Sequence, residues 1–265
     1  MRPLVIRLGV IALVLALWEI LPRIGAVPKL ILSPFSESIE VAFRAGDVYL
    51  ANLWITLAEI GAALLIACGG GVLAGGALGA FPRLCRLLLP FVSSAYAVPF
   101  VVLFPLFTAW LGIGSLSKIV FAGIYGFIPA VLTTAAGVRA IDRHLLLVAR
   151  ALGARGPALI LKVVLPAAIP VVLSAVKVGA ALVVVGVIVS EMLVSTGGIG
   201  YLIAQNRTAF NTPEVYLAIL VVVVIAWMIE RAIFLLERRF ATWSLHTQKS
   251  ARDGAGPRKR AVPWS

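Results

Sequence analysis

Few side chains in this sequence could do chemistry, and their types and spacing limit what that chemistry is. The two histidines, His144 and His246, and the two cysteines, Cys68 and Cys85, lie far apart and lack metal-ligand spacing. The Gly-rich stretch "STGGIGYL", Ser195 to Leu202, reads as a tight turn, because it lacks the Lys-Ser/Thr that ends a phosphate-binding loop. No G-x-S-x-G turn presents a nucleophilic serine. The chain is therefore expected to have no catalytic residue, no metal site and no enzymatic activity of its own.

Two kinds of residue remain. The first are ionisable groups inside apolar runs. Lys177 and Glu191, the latter preceded by Ser190, sit on one apolar run fourteen residues apart. At 100° per residue they project from nearly the same face of a helix, about 21 Å apart along its axis. Either that face lines a translocation path with a gate near each end, or both side chains simply reach the two membrane interfaces. Glu19, Glu59, Glu230 and Arg231 stand near the ends of apolar runs, where interfacial placement is expected. The second is a basic, broken segment, "VARALGARGPALILKVVLPAAIP", Val148 to Pro170. Its cations interrupt apolar sequence, and Gly153, Pro157 and Leu165-Pro166 break its regularity.

The elements that position these residues follow from composition. The chain has 265 residues, 62% hydrophobic and 13% charged, against roughly half apolar and a quarter charged in soluble domains. So much apolar surface needs lipid as its solvent. Six spans are expected: Leu4 to Leu21, Leu53 to Ala80, Leu87 to Leu111, Ile119 to Val138, Ala167 to Val194 and Val215 to Leu236. The second contains Gly69-Gly70-Gly71, the third Pro90, Pro99 and Pro105, and the fourth Pro129. The first is read as a retained span, since Trp18, Glu19 and Pro22 follow it rather than a small-residue cleavage site. G-x-x-x-G spacing at Gly71, Gly75 and Gly79 allows close helix packing, expected within the subunit.

With both termini cytoplasmic, seventeen of the 23 Lys and Arg fall inside, five outside, and Lys177 within a span. That asymmetry sets the orientation. It also accounts for the net charge of +12 through anionic lipid headgroups, without nucleic acid. Two cysteines in such a chain make no disulfide framework. The basic, Gly- and Pro-containing tail, 246–265, is expected to be solvated and unstructured.

The broken basic segment then belongs to a cytoplasmic loop, 139–166. Leu145, Val148, Ala149 and Leu152 form one apolar stripe of a short helix. Gly153 suits its end, and Pro157 the first turn of a second helix. Taken on physics alone, this helix, Gly turn and helix is equally a docking element or an amphipathic loop lying on headgroups.

The segment resembles the cytoplasmic motif of ABC importer permeases, E-A-A, three residues, G, nine residues, I-x-L-P. Gly153, nine residues, then Val163, Val164, Leu165 and Pro166 reproduce its second half, with Val for Ile. Leu147, Val148 and Ala149 stand where the family has Glu-Ala-Ala. "LILSPFSESIEVAF", "VPFVVLFPLFTAWLGIGSLSKI", "VIVSEMLVSTGGIGYLIAQNRTAFNTPEVY" and "LERRFATW" resemble the nitrate/sulfonate/taurine branch across nearly the whole chain.

That resemblance implies an all-α integral membrane protein of the six-helix type I ABC importer permease fold, with residues 1–245 as the transmembrane permease domain. It implies a coupling helix seated in a groove on a cytoplasmic ATPase, through Ala149, Arg150, Leu152, Gly153, Ala154, Val163, Leu165 and Pro166. The implied partners are an ABC ATPase dimer, a second copy of this permease, an extracytoplasmic solute-binding protein and membrane lipid. No cofactor is expected in this chain, with ATP and Mg on the ATPase. The implied location is the bacterial inner membrane. The implied solute is a small anion such as a sulfonate, taurine or nitrate, with a thiamine precursor or other heterocycle as the alternative. A secondary transporter is a weaker reading: no repeat is evident, and the acidic residues lie near span ends.

Overall fold

The computed structural model of the protein describes residues 3–253, and these are helical with no strand among them. Helix α1 is Pro3–Arg23, and α2, Phe35–Arg44, is a short amphipathic helix after it. Helix α3, Gly46–Leu64, passes through a π-helical turn, Leu65–Gly70, into α4, Gly71–Ala80. The glycine run expected to interrupt the second span therefore carries a change of helical pitch.

The third span departs most from expectation. It forms two helices, α5, Pro82–Ala97, and α6, Phe104–Leu111, bent by 84° rather than one helix. Val98 is extended (ψ 132°), and the 3-10 turn Phe100–Leu103 follows Pro99. Proline disfavours the helical region for the residue before it, and here the break falls at Val98. Pro90 and Pro129 lie inside intact helices.

Helix α7, Ser115–Arg139, is the packing centre. The bent pair is held to it by aromatic rings. Phe104 and Phe121 are fully buried, edge to face at 5.1 Å, and Phe100 stacks on Tyr125 at 5.9 Å. Helix α4 packs along α7 with both chains running the same way: Gly71 meets Ala130, Gly75 meets Val131 and Thr134, and Gly79 meets Val138. A Cβ on Gly75 would lie 2.6 Å from the Val131 carbonyl oxygen. The G-x-x-x-G series thus serves packing inside the subunit.

Parallel packing of α4 and α7 requires the segment between them to return to the opposite side. The bent pair α5 and α6 does so, which makes six crossings with five unbroken spans and one broken one.

Next come α8, Arg143–Ala151, and the short α9, Pro157–Leu159. A π-helical turn, Ile160–Val164, leads into α10, Leu165–Leu193. Helix α10 runs antiparallel to α7, with Gly126 against Gly179 and Val183, and Gly186 against Ala122. Helix α11, Ile199–Thr208, lies across the end of the bundle where only a turn and outer loop were expected. Helix α12, Thr212–Asp253, completes the fold. It continues into the segment expected as an unstructured tail; the remainder, 254–265, lies outside the described residues.

Helices α1, α2, α3 and α12 are joined at the α11 end. Trp18 donates to the Ser33 carbonyl and packs on Phe35 and Tyr216. Tyr49 donates to the Glu214 carbonyl at 2.7 Å. Glu19 accepts from the Ser36 amide at 3.0 Å and pairs with Arg23.

Candidate functional site

Helix α8 is a defined local structure. The Asp142 carboxylate accepts the His144 amide at 2.8 Å and caps its start. At its end the Gly153 amide donates to the Arg150 carbonyl and the Ala154 amide to the Ala149 carbonyl. This paired closure needs a left-handed residue at Gly153, whose φ is +88°. Gly156 (φ +52°) turns the chain again before Pro157.

Of the expected apolar stripe, only Ala149 is buried. Leu145, Leu147, Val148 and Leu152 all project outward, Leu152 with 83% of its surface exposed. Arg150 and Leu165 are exposed, and Ala154, Val163 and Pro166 are half-buried. The result is a short helix, capped at its start and closed by a left-handed glycine, whose apolar side chains Leu145, Leu147, Val148 and Leu152 are exposed among the described residues.

The opposite end holds a buried polar cluster. The Glu191 carboxylate accepts the Thr56 hydroxyl on one oxygen and the Gly200 amide on the other, each at 2.8 Å. Thr56 Oγ1 accepts the Ile199 amide, and Asn52 Oδ1 accepts the Gly198 amide at 2.7 Å. Side chains from α3 and α10 therefore satisfy the first amides of α11, whose positive dipole end suits the Glu191 carboxylate. Gly198 (φ +108°) and Gly200 are required by close approach, since a Cβ on either would collide with Glu191.

Beside this cap, Lys118 Nζ lies 2.5 Å from Glu59 Oε1 and donates to Ser195 Oγ at 2.9 Å. The Lys118–Glu59 contact is an ion pair without hydrogen-bond geometry, and Glu59 Oε2 has no partner. Ser195 Oγ also donates to the Gly197 carbonyl and accepts the Gly197 amide. All the charged members are at most 3% exposed.

This corrects two expectations. Ser190 and Glu191 are packed inside the subunit's own bundle (0% and 1% exposed) and do not lie on a path-facing surface. The helical phase placed Glu191 on the face of Lys177, but α11 and the Ser195–Gly200 turn cover that face at this end. Glu59, expected near the membrane interface, is buried at the α11 end, where Lys118 on α7 supplies its counter-charge.

Lys177 is different. Its side chain is 52% exposed and pairs at 3.4 Å with Glu230 of α12, which is 63% exposed. The structure brings these two together across α10 and α12, a pairing that sequence spacing did not indicate. Lys118, counted outside the fourth span by the sequence, lies within α7; its pairing with Glu59 had no signal in sequence spacing, and Thr56, Asn52 and Ser195 carry none either.

Six membrane crossings around α7, a broken third span and an outward-facing apolar helix on the α7–α10 loop define a membrane transport subunit. Residues 67–242 match the binding-protein-dependent transport system inner membrane component family, and the chain belongs to it. It is therefore an ABC importer permease, a multi-pass inner-membrane component of binding-protein-dependent transport.

Among its relatives is SsuC of Bacillus subtilis (strain 168), named for aliphatic sulfonates transport. It is 29% identical over 236 residues, 88% of this chain and 85% of that protein. The taurine transport system permease protein TauC of Escherichia coli (strain K12) is 27% identical over 91% of this chain and 90% of that one. The riboflavin transport system permease protein RibX of Chloroflexus aurantiacus is 32% identical over 60% of this chain and 59% of that protein. The fold matches a chain of the inward-facing MetNI methionine ABC transporter with a TM-score of 0.64 and 22% identity. The match covers 74% of this chain and 98% of that one.

Proposed function

We propose that this chain forms the translocation pathway of an ATP-driven importer for a small anion, with sulfonates, taurine and nitrate as the solute class. The single observation that supports the coupling role is α8. Its apolar residues face outward, it ends on a left-handed glycine, and Leu165-Pro166 lies at fixed spacing behind it. An exposed stripe of this kind suits a groove on a cytoplasmic ATPase that carries ATP and Mg. Ala149, Arg150, Leu152, Gly153, Ala154, Val163, Leu165 and Pro166 would transmit its movement as a rigid lever.

One subunit with six crossings supplies half a pore, so two copies are expected to assemble. The surplus of Lys and Arg at the α8 end supports a cytoplasmic position for that end and for both termini. The α11 end then faces the solute-binding protein.

Support for an anion comes from the sulfonate- and taurine-named relatives, which match nearly the full chain. The riboflavin-named relative supports a heterocycle as the second reading, over a shorter match. The test is reconstitution with a partner ATPase and solute-binding protein. ATP-dependent uptake of taurine or an alkanesulfonate, with no uptake of riboflavin, is the expected result. Uptake of riboflavin alone would replace the anion by the heterocycle. A complex holding one copy of this chain with a different permease would overturn the homodimer.

A further inference from the structure

The subunit exposes two kinds of membrane-level surface. On α1 and α12 it consists of large apolar side chains, such as Leu8, Leu13, Val223, Trp227 and Met228, which suit lipid tails. Along the middle of α10, from Pro170 to Val185, the exposed residues are Pro170, Ser174, Lys177, Val178, Ala181 and Val185. These fall within about 100° of one another around the helix axis. A stripe with a proline, a serine and a lysine among alanine and two valines is a poorer lipid face than α1 or α12, and an isolated charge near the centre of a span would cost about 2.5 to 3.5 kcal/mol. Lys177 lies about 21 Å along α10 from Glu191, a separation shorter than a hydrocarbon core about 30 Å thick.

We infer that this stripe faces the translocation path and that Lys177 is the residue that meets the negative charge of the solute, with Glu230 as its counter-ion when no solute is present. The inference rests on the anion reading above and names the residue that would make the path selective for anions. The physical need is plain. An anion passing a low-dielectric constriction requires a cation there. A permanently unpaired lysine in the membrane is costly and would hold the solute too tightly for release. Pairing with Glu230 resolves both problems. The 3.4 Å pair, more than half exposed on each side, is open enough for an incoming sulfonate or carboxylate to compete with Glu230. The number of neutralised charges is then the same before and after the solute arrives.

Ser174, one turn before Lys177 on the stripe and exposed, is the reporter position. In a background with Cys68 and Cys85 replaced by Ala, Ser174→Cys is labelled in membranes carrying the assembled transporter. The two probes are an anionic and a cationic methanethiosulfonate, with rates corrected for intrinsic reactivity. The expected result is labelling by both, with the anionic reagent favoured about fivefold by a cation roughly 6 Å away in partly aqueous surroundings. Lys177→Gln should remove the preference, Lys177→Arg should keep it, and Glu230→Gln should increase it.

Absence of labelling by either reagent would place the stripe against lipid or a neighbouring subunit and overturn the inference. So would a preference that Lys177→Gln leaves unchanged. If the charge dependence holds and the reconstituted complex imports no anion, the stripe still lines the path, and the role of Lys177 toward the solute falls with the anion reading.

Discussion

The carboxylate of Glu191 on α10 accepts the backbone amide of Gly200, nine residues later, at 2.8 Å. This contact folds the Ser195–Gly200 turn back onto its own helix and holds the start of α11 against α3 and α10. A membrane-level acid that could have served transport is thus committed to structure, with both oxygens occupied.

Removing that carboxylate should loosen the α11 end. Glu191→Ala leaves the Gly200 amide buried without an acceptor and the Thr56 hydroxyl with only the Asn52 carbonyl at 3.2 Å, a cost of about 1 to 3 kcal/mol. A clear fall in the thermal midpoint of the detergent-purified complex is expected, and a smaller one for Glu191→Gln, which keeps one acceptor. An unchanged midpoint for the alanine variant would show that the cap is not needed.

The Lys118–Glu59 pair makes a sharper test. Lys118→Met leaves a buried carboxylate with no counter-charge, at a cost of about 3 to 5 kcal/mol. Adding Glu59→Gln removes the charge and should restore most of the lost folded yield. Size-exclusion profiles of the two variants measure this directly, and equal damage in both would refute the electrostatic account.

Packing of α4 on α7 predicts a contrast between neighbouring glycines. Gly75→Leu must displace the Val131 backbone and Thr134, whereas a Cβ on Gly76 meets nothing within 4 Å. Membrane-inserted, monodisperse protein should be lost for Gly75→Leu and retained for Gly76→Leu.

Gly153 should govern coupling. Its φ of +88° is tolerated by Asn far better than by β-branched residues. Gly153→Asn should keep most transport. Gly153→Val should insert normally yet lose most of the ATPase stimulation by the loaded binding protein. Normal uptake with full stimulation in Gly153→Val would reject the assignment of α8.

Much of this protein is legible in its sequence because lipid imposes simple rules. A span must be long, apolar and internally hydrogen-bonded, so the crossings, the helical class and the basic end follow from residue order. The turn at Gly153 is equally local, since left-handed backbone favours glycine wherever it occurs. The break after Val98 was visible only as a run of prolines. Which proline breaks the chain depends on aromatic packing against α7, for Pro90 and Pro129 remain within helices.

What covers a helix face is not local. Lys177 and Glu191 share nearly one face of α10, and the sequence determined that much. Tertiary structure alone decided that α11 and its turn close over Glu191, while Lys177 stays open to meet Glu230. It also decided that Glu59, read as interfacial, is buried against Lys118. Helical phase is set by the backbone within a few turns, whereas burial and charge pairing depend on elements tens of residues away. The same pattern of charges along one helix therefore yields a structural cap at one end and an exposed ion pair at the other.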